Sequence, residues 1–374
     1  MIDTDTKIDR IKKWLNNEKT SPWHMQLQPT AKCNLKCRFC WSRKYTRKEK
    51  ELSNVKWIEI TREACEMGVR GLTIVGGGEP LVRLNLVKKM TGEIKKHNVN
   101  GTIVTNGTLF TNEFARHIVE ICWDTIAVSI HGAKSSTDNY LRGNEKAFQM
   151  TMKSLEFINF WKQELNSNKP NIVFHSVITR QNINELTEIL YLMKNVKAGT
   201  LVLRLVNDDL SDPQFYINKN QFNILCSQLE NVTKLSKEFS IDLDWQMNIE
   251  DVKNNLFKDN NRIIKSLKED KLEKKDKIIP CSRPFSEMVI LPDGTIGPCC
   301  AFCEGKYSQD KNLADSVLEF VDNISDKSLQ EIWMGKKFNK FREIVKKGQI
   351  PLYCKRTCPP DYVFLEQSGK ILKH

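Results

Sequence analysis

Lys32-Cys33-Asn34-Leu35-Lys36-Cys37-Arg38-Phe39-Cys40 gathers three cysteines into nine residues, spaced C-x-x-x-C-x-x-C. Three thiolates on one loop suit a cubane iron–sulfur cluster that keeps one iron open to a small molecule, because a cubane held by four is coordinatively full. The competing reading is a zinc knuckle, and structural zinc asks for four ligands. No fourth Cys or His follows nearby, and His24 lies upstream in a strand pattern. The residues outside the loop separate the two readings.

From Met25 to about Phe239, short β-branched runs alternate with longer amphipathic stretches, the mark of successive βαβ units and a parallel sheet. Strands are expected over His24 to Leu27, Gly71 to Val75, Thr102 to Thr105, Thr125 to Ile130, Ile172 to Ile178 and Leu201 to Val206. Helices are expected over Asn54 to Met67, Leu86 to His97, Asn112 to Cys122, Glu145 to Leu165, Ile183 to Val196 and Lys219 to Phe239. Six such units fall short of a closed eight-stranded barrel, so the class is α/β with a partial (β/α)6, TIM-like barrel. Ligand chemistry on these folds sits at the carboxyl ends of the strands. Cys33 follows the first strand, Gly76-Gly77-Gly78-Glu79-Pro80 the second and Asn106-Gly107 the third, while Ser129 to Gly132 closes the fourth.

The pattern divides the chain into an N-terminal helical segment (1–22), the barrel (23–247), a charged connector (248–280) and a small α+β tail (281–374). In the tail, Pro292-Asp293-Gly294 separates two short apolar runs as a hairpin turn would, and Leu329 to Lys347 reads as one amphipathic helix capped by Gly348. A chain of 374 residues is long enough for one core plus a satellite. Its 58 Lys+Arg against 46 Asp+Glu give a net charge of +12, which favours anionic partners. The lysines are scattered along helices, with no basic stripe interleaved with aromatics, so nucleic acid is not expected. No apolar run reaches bilayer-spanning length and no signal peptide opens the chain, which points to a cytoplasmic protein. In a reducing compartment the 12 cysteines, concentrated at 33–40 and 281–358, point to metal, with Cys65, Cys122 and Cys226 read as buried thiols in helical patterns.

With these residues in view, the barrel resembles the radical S-adenosylmethionine (radical SAM) superfamily, and the tail resembles its SPASM/Twitch subgroup. The resemblance implies that Cys33, Cys37 and Cys40 hold a [4Fe-4S] cluster whose open iron chelates S-adenosylmethionine, which one electron splits to a 5′-deoxyadenosyl radical. It places Phe39 near the adenine, where loop packing is the alternative, and gives Gly76, Gly77, Gly78 and Glu79 the cofactor ammonium. Asn106 and Ser129 would meet its ribose or methionine end, Arg142 the methionine carboxylate, with surface solvation the alternative, and Val177 and Ile178 would give adenine an apolar shelf and backbone contacts, with plain strand residues the alternative. In the tail, Cys281, Cys299, Cys354 and Cys358 would hold a second, auxiliary [4Fe-4S] cluster, with Cys300 an alternative to Cys299. No further cysteines follow Cys358, which favours the shorter Twitch arrangement. Cys303 would be a free thiol donating hydrogen to a substrate radical, or an ordinary buried one.

The resemblance also implies a flavodoxin- or ferredoxin-type electron donor. About thirty residues precede Cys33, too few for a winged-helix peptide-recognition domain. That favours a small polar substrate, such as an amino sugar, aminocyclitol or nucleoside-like precursor, over a ribosomal peptide undergoing crosslinking or epimerisation. His131, Arg180, Arg204, Asp208 and Asp209 lie at or near strand ends as candidates to bind polar substrate groups or move protons, with loop salt bridges the alternative. From outside the class, a zinc-containing nucleic-acid-binding protein or a cluster-bearing electron carrier remains compatible with the cysteines alone.

Overall fold

Alternation along each strand decides which way the barrel faces. In β1 (His24–Leu27), Met25 and Leu27 are fully buried while His24 and Gln26 are half-buried. β2 (Gly71–Ile74) repeats the pattern, and β5 (Asn171–Ile178) carries it through eight residues. The buried set joins the main core against the helices, so the opposite set lines the barrel lumen. The computed structural model describes residues 6–40, 42, 50–206, 212–245, 277–305, 311–357, 363–365 and 371–373.

β3 (Asn100–Thr105), β4 (Thr125–Ser129), β6 (Thr200–Leu205) and β7 (Asp242–Trp245) complete a run in which β1 to β7 pair in order and in parallel. Between them lie α2 (Asn54–Glu66), α3 (Leu84–Lys96), α4 (Asn112–Glu120), α5 (Ser135–Arg142), α6 (Ala147–Glu164), α7 (Leu186–Asn195) and α8 (Phe222–Phe239), after α1 (Lys7–Leu15) at the start. The seventh strand is a correction to the six expected from sequence. Asp-Leu-Asp-Trp spans four residues and alternates two carboxylates with two apolar side chains that pack on the core. Cys122, read as a buried helical thiol, is instead exposed just past α4 in a left-handed conformation at φ +50°.

The tail continues the barrel sheet. β9 (Glu287–Ile290) pairs in parallel with β1, His24 opposite Glu287 and Leu27 opposite Ile290, and returns through β10 (Thr295–Gly297) to β11 (Asp322–Asn323), making one ten-stranded sheet. The turn forms as expected: Gly294 takes φ +84°, and Asp293 accepts hydrogen bonds from the Thr295 amide and hydroxyl. This topology fixes where the cysteines fall. Cys281 precedes β9 and Cys299 follows the antiparallel β10, so both lie at the amino end of β1, whereas Cys33 lies beyond its carboxyl end. The two cysteine sets therefore sit at opposite ends of the lumen.

β8 (Lys277–Ile279), expected to be connector, pairs with β12 (Val363–Leu365), itself paired with β13 (Ile371–Lys373). The connector from 248 to 276, with the last two residues expected in the barrel, lies outside the described residues. The helix expected over Leu329 to Lys347 is broken into α11 (Leu329–Trp333) and α12 (Lys336–Lys346), because Gly335 takes an extended conformation between them. α9 (Cys300–Gly305), α10 (Lys311–Leu318) and α13 (Leu352–Thr357) complete the tail. Arg342 ties it to α1: its buried guanidinium lies 3.9 Å from the Trp14 ring and 4.2 Å from that of Trp333, and donates to the Pro284 and Trp333 carbonyls. Burial lowers its pKa to about 9.

Candidate active site

Two strand-end segments and the carboxyl end of a helix hold the cysteine loop. From β2, the Glu79 amide donates to the Lys32 carbonyl at 2.8 Å and the Gly78 amide to Thr30 at 3.2 Å. A Cβ on Gly78 would stand 2.0 Å from the Lys32 oxygen, so only glycine permits this approach. From β3, Asn106 donates to the Asn34 side chain and Thr108 accepts from it. From α5, the Leu141 carbonyl accepts the Arg38 amide, and Gly143, left-handed at φ +63°, lies where a Cβ would meet the Lys36 oxygen at 2.5 Å.

Within this frame Cys33 and Cys40 lie within electrostatic reach of Cys37. Burial pushes Cys37 up to about 12, with Cys40 and Cys33 adding to it and Arg142 opposing. The Leu35 amide donates to the Cys33 sulfur at 3.4 Å, and the Ser42 hydroxyl, which donates to the Gly77 carbonyl, lies 3.2 Å from the Cys40 sulfur. Among the described residues no three His, Cys, Asp or Glu side chains are close enough to hold a single metal ion.

Two residues expected to touch the cofactor are engaged inside the protein. The Glu79 carboxylate is buried and accepts from the Leu81 amide (3.0 Å), the Thr105 hydroxyl (2.7 Å) and the Asn106 amide (2.6 Å). Burial raises its pKa while these donors and Arg142 pull the other way. Arg142 has no exposed surface: it pairs with Asp138 at 3.1 Å, donates to Thr151 at 2.9 Å and to the Asn106 carbonyl. Asp138 in turn receives the His131 amide at 2.8 Å. The pair braces the exits of β3 and β4.

At the other end of the lumen, Cys281, Cys299, Cys300 and Cys354 stand close enough to affect one another or the same neighbours electrostatically. Cys299 is raised well above its ordinary value by burial, then by Cys300, Cys281 and Cys354, with Arg283 opposing. Cys358 lies outside the described residues. Cys303 is enclosed at 1% exposure beside Val289 and Leu291, with Gly297 against its sulfur, as a buried thiol would be.

The sequence model of the Radical SAM superfamily matches residues 27–190, and that of SPASM, an iron–sulfur cluster-binding domain, matches 281–359. The chain belongs to the radical SAM superfamily. This radical SAM enzyme is 23% identical to the tungsten-containing aldehyde ferredoxin oxidoreductase cofactor-modifying protein of Pyrococcus furiosus over 88% of its own length and 85% of that protein. It is 27% identical to the mycofactocin maturase MftC of Mycolicibacterium smegmatis over 53% of its length and 48% of that protein. Its fold matches Streptococcus suis SuiB bound to the precursor peptide SuiA, with a TM-score of 0.64, 17% identity and coverage of 88% and 68%. It also matches anSMEcpe with bound AdoMet, at 0.58, 16%, and 88% and 85%.

A radical SAM enzyme binds a [4Fe-4S] cluster with S-adenosylmethionine, and the SPASM domain binds auxiliary iron–sulfur clusters. The residues present fit the first: three thiols on one loop within electrostatic reach of Cys37, an N–H donor to the Cys33 sulfur, and a glycine run whose backbone lies against the loop. Phe39 meets the His131 ring edge-on at 4.8 Å in a small apolar cluster with Val177, Leu141, Val206 and Phe215, apart from the main core. Ile178 is fully buried in the main core, and Val177 packs partly buried against the Phe39 cluster. His131 accepts the Val177 amide at Nδ1, and burial with Arg142 lowers it to about 3, which keeps the ring neutral. Ser129 ends β4 on the lumen face, opposite His175.

Sequence reasoning missed His175 and Asp244. With Arg204 they share the lumen face of β5, β6 and β7: His175 pairs with Val202, Val202 with Asp244, and Arg204 follows two residues along. Burial and Arg204 lower His175 to about 4 against the pull of Asp244. Period-two alternation opposite Phe174 marks His175 in the sequence, whereas Asp244 becomes legible only once β7 is known. Arg180 instead donates to the Tyr216 carbonyl at 3.1 Å, and Asp208 and Asp209 lie outside the described residues.

Proposed function

We propose that this radical SAM enzyme is a peptide maturase that abstracts hydrogen from a residue of a peptide held in the lumen between its two cysteine sets. The observation that carries the reading is the fold shared over 88% of the chain with SuiB, whose structure holds a precursor peptide, supported by a maturase among the sequence relatives. These relatives support a peptide over the small polar metabolite that the short stretch before Cys33 favoured.

In this reading Cys33, Cys37 and Cys40 hold the first cluster, and Gly76, Gly77 and Gly78 offer backbone carbonyls to the cofactor ammonium, since Glu79 is engaged within the fold. Asn106 and Ser129 face its ribose or methionine end, and Phe39 and Val177 flank its adenine. Bound there, cluster and S-adenosylmethionine supply a one-electron route to hydrogen abstraction from carbon. The chain keeps the site dry with its apolar rim and holds His131 neutral beside Phe39. Arg204, exposed on the lumen face, binds a carboxylate or carbonyl of the peptide, with His175 and Asp244 beside it. Cys281, Cys299, Cys354 and Cys358 hold the auxiliary cluster, and a flavodoxin- or ferredoxin-type protein delivers the electron.

Co-expression with each short reading frame flanking its gene, followed by mass spectrometry of the peptides, tests the reading. A peptide mass change that disappears with Cys33→Ala, Cys37→Ala and Cys40→Ala together is the expected result. Turnover of a non-peptide substrate with every peptide untouched would overturn it, and would favour the second reading raised by the Pyrococcus relative, modification of a cofactor or its precursor.

A further inference from the structure

The amino end of β9 carries an ion cluster that the reaction chemistry leaves unexplained. Arg283 donates to Glu287 at 2.8 Å, and the other Glu287 oxygen receives Lys7 of α1 at 3.0 Å. Two cations share one carboxylate, so the group keeps a net positive charge. His24, opposite Glu287 in the register, adds none, because burial holds it below its ordinary value. The Arg283 backbone is fixed: it opens a short 3-10 turn over Arg283–Phe285, its carbonyl accepts the Ser286 amide, and Arg342 clamps the next carbonyl at 2.9 Å. Two residues after Cys281, the guanidinium lies within electrostatic reach of Cys281, Cys299 and Cys300.

We propose that Arg283, held in place by Glu287, sets the reduction potential of the auxiliary cluster, its fixed positive charge favouring the reduced form. The proposal rests on the reading that Cys281 and Cys299 ligate that cluster. Reduction adds one electron, hence one negative charge, and no proton is needed for balance. A guanidinium stays charged in either state, and local charge is among the factors that set cluster potentials. Glu287 has two effects, positioning the guanidinium and cancelling part of its charge.

The test is a redox titration with dithionite, read by electron paramagnetic resonance, on the full chain carrying Cys33→Ala, Cys37→Ala and Cys40→Ala so that only the auxiliary cluster reports. Adding Arg283→Gln is expected to lower the one-electron reduction constant about tenfold, a fall of about 59 mV. Arg283→Lys should stay near the parent, and Glu287→Gln, which leaves the guanidinium uncompensated, should shift the potential upward. Opposite shifts from two substitutions in one ion pair are not what structural loosening produces. Unchanged potentials at intact iron content, or shifts in the same direction, would overturn the proposal. A parent that holds no iron would overturn it together with the ligand reading. If Arg283→Gln fails to load iron, Glu287→Gln still reads the sign, and a fall or no change there refutes the role.

Discussion

Replacing Arg142 separates two accounts of the same residue. The sequence resemblance assigns it to the methionine carboxylate, whereas the structure shows its side chain fully buried against Asp138 at 3.1 Å and bonded to Thr151 and the Asn106 carbonyl. Arg142→Met leaves the Asp138 carboxylate buried, with the His131 amide among its remaining donors. Removing one partner of a buried pair costs about 3–5 kcal/mol, while replacing both with neutral groups of similar shape is often close to neutral. The single variant should therefore lose about 3–5 kcal/mol in anaerobic urea denaturation, and Asp138→Asn with Arg142→Met should recover about half of that or more. S-adenosylmethionine binding at low denaturant should survive in the double variant. A single variant as stable as the parent that no longer binds S-adenosylmethionine would refute the bracing role and restore the carboxylate assignment.

Gly78→Ala drives a Cβ to 2.0 Å from the Lys32 oxygen and should strip iron from the first site while leaving the second loaded; Gly92→Ala, with nothing within 4 Å, serves as the silent control by iron analysis. His131 is held neutral with its pKa lowered to about 3, so the unfolded chain binds a proton that the folded chain refuses. Its contribution to stability is whole above about pH 6.5 and falls by up to about 1.4 kcal/mol per unit as pH drops towards 3, a slope that His131→Phe should flatten in urea midpoints. Arg204→Gln should raise the KM for the peptide about tenfold, the worth of a weak charge-assisted hydrogen bond, while substrate-free formation of 5′-deoxyadenosine stays unchanged. An unchanged KM would remove Arg204 from the substrate site.

Local patterns carried most of the barrel into view. The six expected parallel strands form within about two residues of their expected ends, because β-branched runs and flanking glycines act locally. β7 escaped because its two aspartates suit a strand only when one face is open to the lumen. The docking of β9 on β1 pairs residues more than 260 positions apart, and no periodicity encodes such a partner. Motif spacing found the cysteines and the glycines that approach them. It could not reveal that Glu79 and Arg142 are consumed by the fold, since the same residue types would serve a ligand equally well, and only burial and bonded neighbours distinguish the two.

The most direct measurement of the central claim combines iron counting with product analysis on one preparation. Protein reconstituted anaerobically with iron and sulfide should hold about eight irons, two cubanes of four. With dithionite and S-adenosylmethionine it should release 5′-deoxyadenosine. With Cys33→Ala, Cys37→Ala and Cys40→Ala it should keep about four irons and release none. A triple variant that still forms 5′-deoxyadenosine, or one that loses all its iron, would contradict a cofactor-cleaving cluster and a separate auxiliary cluster at opposite ends of the lumen.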